Sequence, residues 1–254
     1  MTINEVFPNP TVRQVIFQIR FPNLFYLENR MGEFQIKIMK DFPKSGMTLN
    51  RQFMIADVDK IPDVIKMQDE GKGFEVDRTW RFESETGIAL NVKTSSLSLT
   101  STLHKTYSNS SEVNRFRDMI EKAVDAFREV APIPIISRIG LRYIDDCPVP
   151  ASDNIAYREY YNTCLPIDRF SLADVDDISS IVCVRRGRYF VRFMEAFKKV
   201  DGKPKLTLDF DGYGLNIDST TYLSVTDELH ILLVAEYEAC LKPPVYEYMR
   251  KPSK

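Results

Sequence analysis

Alternation constrains this chain more than any other feature. Val15, Phe17, Ile19 and Phe21 alternate with Gln14, Gln18 and Arg20, with Ile16 the one apolar exception, and Pro22-Asn23 stops the run. Successive side chains of a strand point to opposite faces, so this run predicts a strand with one buried and one wet face. The pattern returns where Phe74, Val76, Trp80 and Phe82 alternate with Glu75, Asp77, Thr79, Arg81 and Glu83, and again where Ile139, Leu141 and Tyr143 alternate with Arg138 and Arg142. Strands of this kind need a cover for their apolar faces. Val113, Phe116, Ile120, Ala123, Phe127 and Val130 keep the three-four spacing of one helix face, with N-caps offered by Asn109, Ser110 and Ser111. A second amphipathic helix is predicted from Ser224, with Asp227 completing a capping box, Val225, Leu229, Leu232, Leu233 and Tyr237 as its inner stripe, and Pro243-Pro244 as its stop.

Read in order, each half predicts a strand, a shorter helix, four strands and a long helix. In the first half the short helix lies within Leu24 to Lys40, through Leu27, Met31, Phe34 and Ile38, and is followed by strands near Leu49 to Val58, at Phe74 to Glu83, at Ile88 to Val92 and from Leu97. Between the first two of these, "IPDVIKMQDEGKG" reads as a polar connection. In the second half a short helix around Ile155 to Tyr161 precedes a strand near Phe170, a hairpin from Ile181 to Phe193 turning at Arg186-Gly187, and a strand from Lys205. Ala131-Pro-Ile-Pro134 marks the boundary, giving repeats over 1–131 and 132–254 that together make one pseudo-symmetric unit. The expected class is α+β: two similar halves with antiparallel sheets and two long helices on one face.

Composition removes several function classes. The apolar runs fall well short of the roughly 20 residues that span a bilayer, and the start "MTINEVFPNP" has no basic segment leading into an apolar one, so the chain is expected in the cytoplasm, off the membrane. Cys147, Cys164, Cys183 and Cys240 are widely spaced with no C-x-x-C pair, and His104 and His230 are the only histidines, a poor supply for a zinc or histidine-rich metal centre. A net charge of −2 is unlike a globally basic nucleic-acid binder. G-x-S-x-G, phosphate-loop and dinucleotide-loop motifs are missing, and an E-x-E-x-K reading from Glu83 and Glu85 fails because Gly87 holds the lysine position. No metal or cofactor is expected.

What remains is a set of arginines on the non-core parity of the strands: Arg20, Arg81, Arg138, Arg142 and, on the second hairpin, Arg186, Arg188 and Arg192. Beside Gln18, Asn91, Lys93, Thr100 and Thr207, such guanidinium forks could grip carboxylate or phosphate groups; alternatively they pair with Glu75, Asp77, Asp209 and Asp211 across strands. The stretch "RGRYFVRF" partly matches an RNA-recognition strand but has Arg188 where a stacking aromatic belongs. Asp209 and Asp211 could approach a divalent cation, without a third ligand in the pattern. His104, just after a strand, is expected at the surface, and His230 is expected to pack within the last helix. The acidic "DVDDISS" before the hairpin reads as a solvated loop, with folding over the arginines as its alternative.

"NPTVRQVIFQIRFP", "WRFESETGIALNV", "RIGLRYID" and the last helix with its "LH" leading to "YEYM" resemble a sporadically distributed family of uncharacterised prokaryotic proteins of about 250 residues. The resemblance implies no reaction, cofactor or catalytic residue, and suggests defence-type gene neighbourhoods. The duplicated element order also looks like that of the TATA-binding-protein saddle, a likeness of architecture alone. The expectation is a non-enzymatic binding or accessory module for a protein partner or small anionic ligand, with a homo-oligomer left open. A nucleic-acid component using the face arginines, and a hydrolase using carboxylates on the same face, are the alternatives.

Overall fold

The computed structural model describes residues 7–51, 76–108 and 115–252. Its centre is a seam between the two alternating runs that head the halves. β1 (Val12–Arg20) and β6 (Ile135–Cys147) pair antiparallel, with Phe17 opposite Leu141, Ile19 opposite Ile139 and Arg20 opposite Arg138. On the far side of β1 lie β5 (Ser96–Ser101), β4 (Ala89–Lys93), β3 (Val76–Glu83) and β2 (Lys44–Arg51) in that order. Beyond β6 lie β9 (Lys203–Asp218), β8 (Tyr189–Val200) and β7 (Asp177–Arg186). The nine strands of the described residues form one antiparallel sheet, so hydrogen bonding runs unbroken across the Pro132–Pro134 boundary.

Among the described residues, helices cover one face only. A 3-10 turn at Phe25–Arg30 leads into α1 (Met31–Ile38), and the predicted stripe of Leu27, Met31, Phe34 and Ile38 is buried. α2 (Phe116–Val130) lays Phe116, Ile120, Ala123, Phe127 and Val130 on the first half of the sheet. Phe34 meets Phe82 and Phe127 edge to face at 5.7 and 5.6 Å, an arrangement that favours the positive ring edge over the negative face. α4 (Tyr222–Cys240) covers β6 and β9, where Gly212 lets Leu233 close: a Cβ there would stand 3.0 Å from Leu233 Cδ2. α3 (Asn154–Tyr160), capped by Asp153, and α5 (Pro243–Arg250) close the end of this layer. No helix among the described residues is long and apolar enough to cross a membrane.

Several expectations are corrected. Phe170 lies in a bend, not a strand, so three strands follow α3 where four were predicted. α4 starts at Tyr222, two residues early, and Asp227 does not cap it but binds Arg117 of α2; Asp218 instead caps the preceding 3-10 turn. Pro243-Pro244 stops α4 and also starts α5, because proline at the first helical positions gives up no needed donor. The N-caps at 109–111, Val113 and the polar connection after β2 lie outside the described residues.

Candidate functional site

With the helices on one face, strand parity delivers Gln18, Arg20, Arg81, Asn91, Ser98, Arg138, Arg142, Arg192, Asp209, Asp211, Tyr213 and Phe190 to the other. Its best-defined part spans β6, β9 and β8. The Arg142 guanidinium donates to both carboxylate oxygens of Asp209, Nε to Oδ1 at 2.7 Å and Nη2 to Oδ2 at 2.6 Å, while Arg192 stands 3.8 Å from the same Oδ2. Asp209 is almost fully buried, and its hydrogen bonds raise the Arg142 pKa further. Arg138 Nη2 donates to both oxygens of Asp211 at 2.9 and 2.7 Å, and its guanidinium lies 4.5 Å from the Tyr213 ring centroid. Tyr213 in turn stacks on Phe190 at 5.3 Å.

Gly140 of "RIGLRYID" explains how this cluster closes. A Cβ at that position would stand 2.7 Å from Arg138 Nη1, so the glycine makes room for a neighbouring guanidinium to lie flat across the sheet. Nearer the first half, Arg20 donates to Gln18 and Arg81 to Glu83, both local contacts along one strand.

Arg186 and Arg188 do not belong to this face. The hairpin turns at Gly187-Arg188, with Gly187 at φ 61°, one residue later than predicted, and a one-residue slip exchanges the two faces of a strand. Arg186 sits opposite Tyr189 on the helix side and pairs with Glu236; Arg188, in the turn, pairs with Glu228. Both tie the hairpin to α4.

The sequence reading missed two buried carboxylates under the helices. Glu195 accepts from Tyr157 Oη, Thr163 Oγ1 and the Cys164 N–H, each at 2.8 Å. Asp145 accepts a 2.8 Å bond from Thr11, which in turn meets Tyr237 Oη at 2.5 Å; the second Asp145 oxygen has no hydrogen-bond partner among the described residues. Burial pushes the Asp145 carboxyl up to about 7, helped by the nearby charges of Asp146 and Asp209 and opposed by the Thr11 hydrogen bond. A signal existed in both cases: a carboxylate at core parity, after Leu141 and Tyr143 in β6 and between Phe193 and Phe197 in β8.

Both histidines have hydrogen-bond partners within the fold. His104 is buried, against the surface expectation, with Nδ1 2.8 Å from Ser101 Oγ. His230 packs within α4 as predicted, 3.0 Å from Tyr143 Oη, and burial lowers its pKa to about 4, leaving it neutral at pH 7. All four cysteines are free thiols. No protein-family model, curated protein or solved structure matches this chain.

Proposed function

We propose that this protein is a non-enzymatic docking module that engages a protein partner through the uncovered face of its sheet, around Arg138, Arg142, Asp209, Asp211, Tyr213 and Phe190. The observation that carries the reading is the pairing of Arg138 with Asp211 and of Arg142 with Asp209 beside the Tyr213–Phe190 stack. Arginines already compensated by carboxylates form a poor counter-surface for phosphates, whose binding draws on free cations that displace counterions. The same residues suit a protein interface. Arginine and aromatic side chains are enriched in interface cores, and a guanidinium already fixed by an aspartate and a ring loses little freedom on docking.

The test is quantitative affinity capture from a host-cell extract, run with and without nuclease treatment, comparing the full chain with Gly140→Ala and Tyr213→Ser variants. Gly140→Ala displaces the Arg138 guanidinium without removing a charge. The expected result is a discrete protein retained by the parent chain and reduced roughly tenfold by either variant, with thermal midpoints nearly unchanged. Retention of nucleic acid that falls steeply with salt and requires Arg138 and Arg142 overturns the reading in favour of a nucleic-acid component. Native-mass recovery of a small anion on the same arginines overturns the partner in favour of a ligand.

A further inference from the structure

β7 is the last strand of the sheet. It pairs with β8 residue for residue from Asp177 opposite Lys198 to Arg186 opposite Tyr189, and no described residue pairs with its other side. Residues flanking a two-residue turn hydrogen-bond each other, so Arg186, Val184, Val182, Ser180 and Ile178 direct their N–H and C=O groups at β8. Arg185, Cys183, Ile181, Ser179 and Asp177 therefore direct theirs outward. Natural edges are blunted by proline, lysine or a bulge, and β7 has none of these. Ile178 to Val184 is an uncharged run, with Ile181 55% and Val182 37% exposed.

Charge is confined to the ends of this edge, and with opposite signs. Asp174, Asp176 and Asp177 stand at its start, Arg185 and Arg186 at its finish. None of the three aspartates makes an ion pair with a described residue, and Arg185 donates to the Gly187 carbonyl and lies 5.9 Å from the Phe190 ring centroid, with no carboxylate partner among the described residues. An edge with an acidic start and a basic finish is complementary to itself when run antiparallel.

We propose that a second copy of this chain occupies the edge, with the two β7 strands antiparallel about a two-fold axis normal to the sheet that passes at Ile181. Directly opposed residues of an antiparallel pair share a face, which restricts the registers to those centred on a residue. Centring on Ile181 sets Asp177 against Arg185 on the uncovered face, a pair made twice by symmetry, while Arg186, opposite Asp176 on the helix face, is already held by Glu236. Centring on Val182 sets Asp177 against Gly187 and Arg185 against Ser179, and the complementarity is lost. The dimer does not rest on the docking reading, since Ile181 and Asp177 lie outside that cluster and Arg185 meets it only at Phe190; its axis leaves both uncovered faces on the same side of one continuous sheet.

Sedimentation velocity of the full chain across a wide concentration range tests this. The expected species has twice the 29.4 kDa chain mass. Ile181→Lys places two ammonium groups at the axis and is expected to raise the dimer dissociation constant roughly tenfold or more, with a melting curve that matches the parent at concentrations where both are monomeric. Asp177→Arg and Arg185→Asp each weaken the dimer, and the double variant restores it. A monomer at every concentration, or a dimer indifferent to Ile181→Lys, overturns the proposal. So does a chain that stays monomeric and gains amide protection at Ser179, Ile181 and Cys183 only when a different protein is added. Failure of the charge swap to rescue overturns the register.

Discussion

At the scale of single residues, Asp145 sits in an environment that opposes its ionised form. Its carboxyl is buried with one oxygen bonded by Thr11 and the other unpartnered, so its neutral form fits the fold and its charged form does not. The folded value of about 7 lies above the roughly 3.9 of an unfolded aspartate, so the unfolded chain ionises first as pH rises. The contribution of neutral Asp145 is therefore whole below about pH 4 and is lost as pH rises through about 7. Urea unfolding at pH 5 and pH 8 checks this. The stability advantage of Asp145→Asn over the parent should grow by roughly 2–3 kcal/mol between pH 5 and pH 8, and parallel curves for the two proteins would refute the assignment. Nothing in a hydropathy pattern reports such a value. The position was legible, since Asp145 falls on the core parity of β6; the missing partner for its second oxygen depends on Thr11, Tyr237 and Met249 arriving from three distant segments.

At the scale of elements, α2 and α4 are held together by polar contacts as well as by the core they share. Arg117 of α2 donates to both oxygens of Asp227 at 2.8 and 2.9 Å, and Tyr107 donates to the same Oδ1 at 2.9 Å. Burial raises the Asp227 pKa, and the Arg117 and Tyr107 hydrogen bonds outweigh that and hold it below the usual aspartate range. Asp227→Asn is expected to cost about 1 kcal/mol at pH 7, and Arg117→Ala a similar amount. In a double-mutant cycle the two losses should overlap, because both remove one clasp; simple addition would instead fit the capping role that spacing suggests for Asp227. The existence of both long helices was readable from their apolar stripes, whereas the partner of a half-exposed aspartate was not. The β7–β8 hairpin shows the same limit. Its strands were evident, but the choice between Arg186-Gly187 and Gly187-Arg188 as the turn decided which face Arg186 occupied, and only a positive φ at Gly187 in the first turn position settles it.

For the whole molecule, the sheet crosses the midpoint of the chain, and this decides how the halves can behave. Each half read alone predicts a strand with an apolar face at its head; paired, β1 and β6 put Phe17 beside Leu141 and Ile19 beside Ile139, all fully buried. Cutting the pairing would expose two central strand edges together with the apolar rows they carry, so neither half can unfold without opening the other's core. Trp80, the single tryptophan, lies in β3 and reports on the first half, while Leu141 belongs to the second. Leu141→Ala is expected to cost roughly 3 kcal/mol by leaving a cavity under α4. If the sheet unfolds as one unit, Trp80 fluorescence and far-ultraviolet circular dichroism will shift to the same lower denaturant midpoint. A Trp80 transition that stays at the parent midpoint while dichroism shifts would mean that the first half holds its structure without β6 and that the seam is not a shared core.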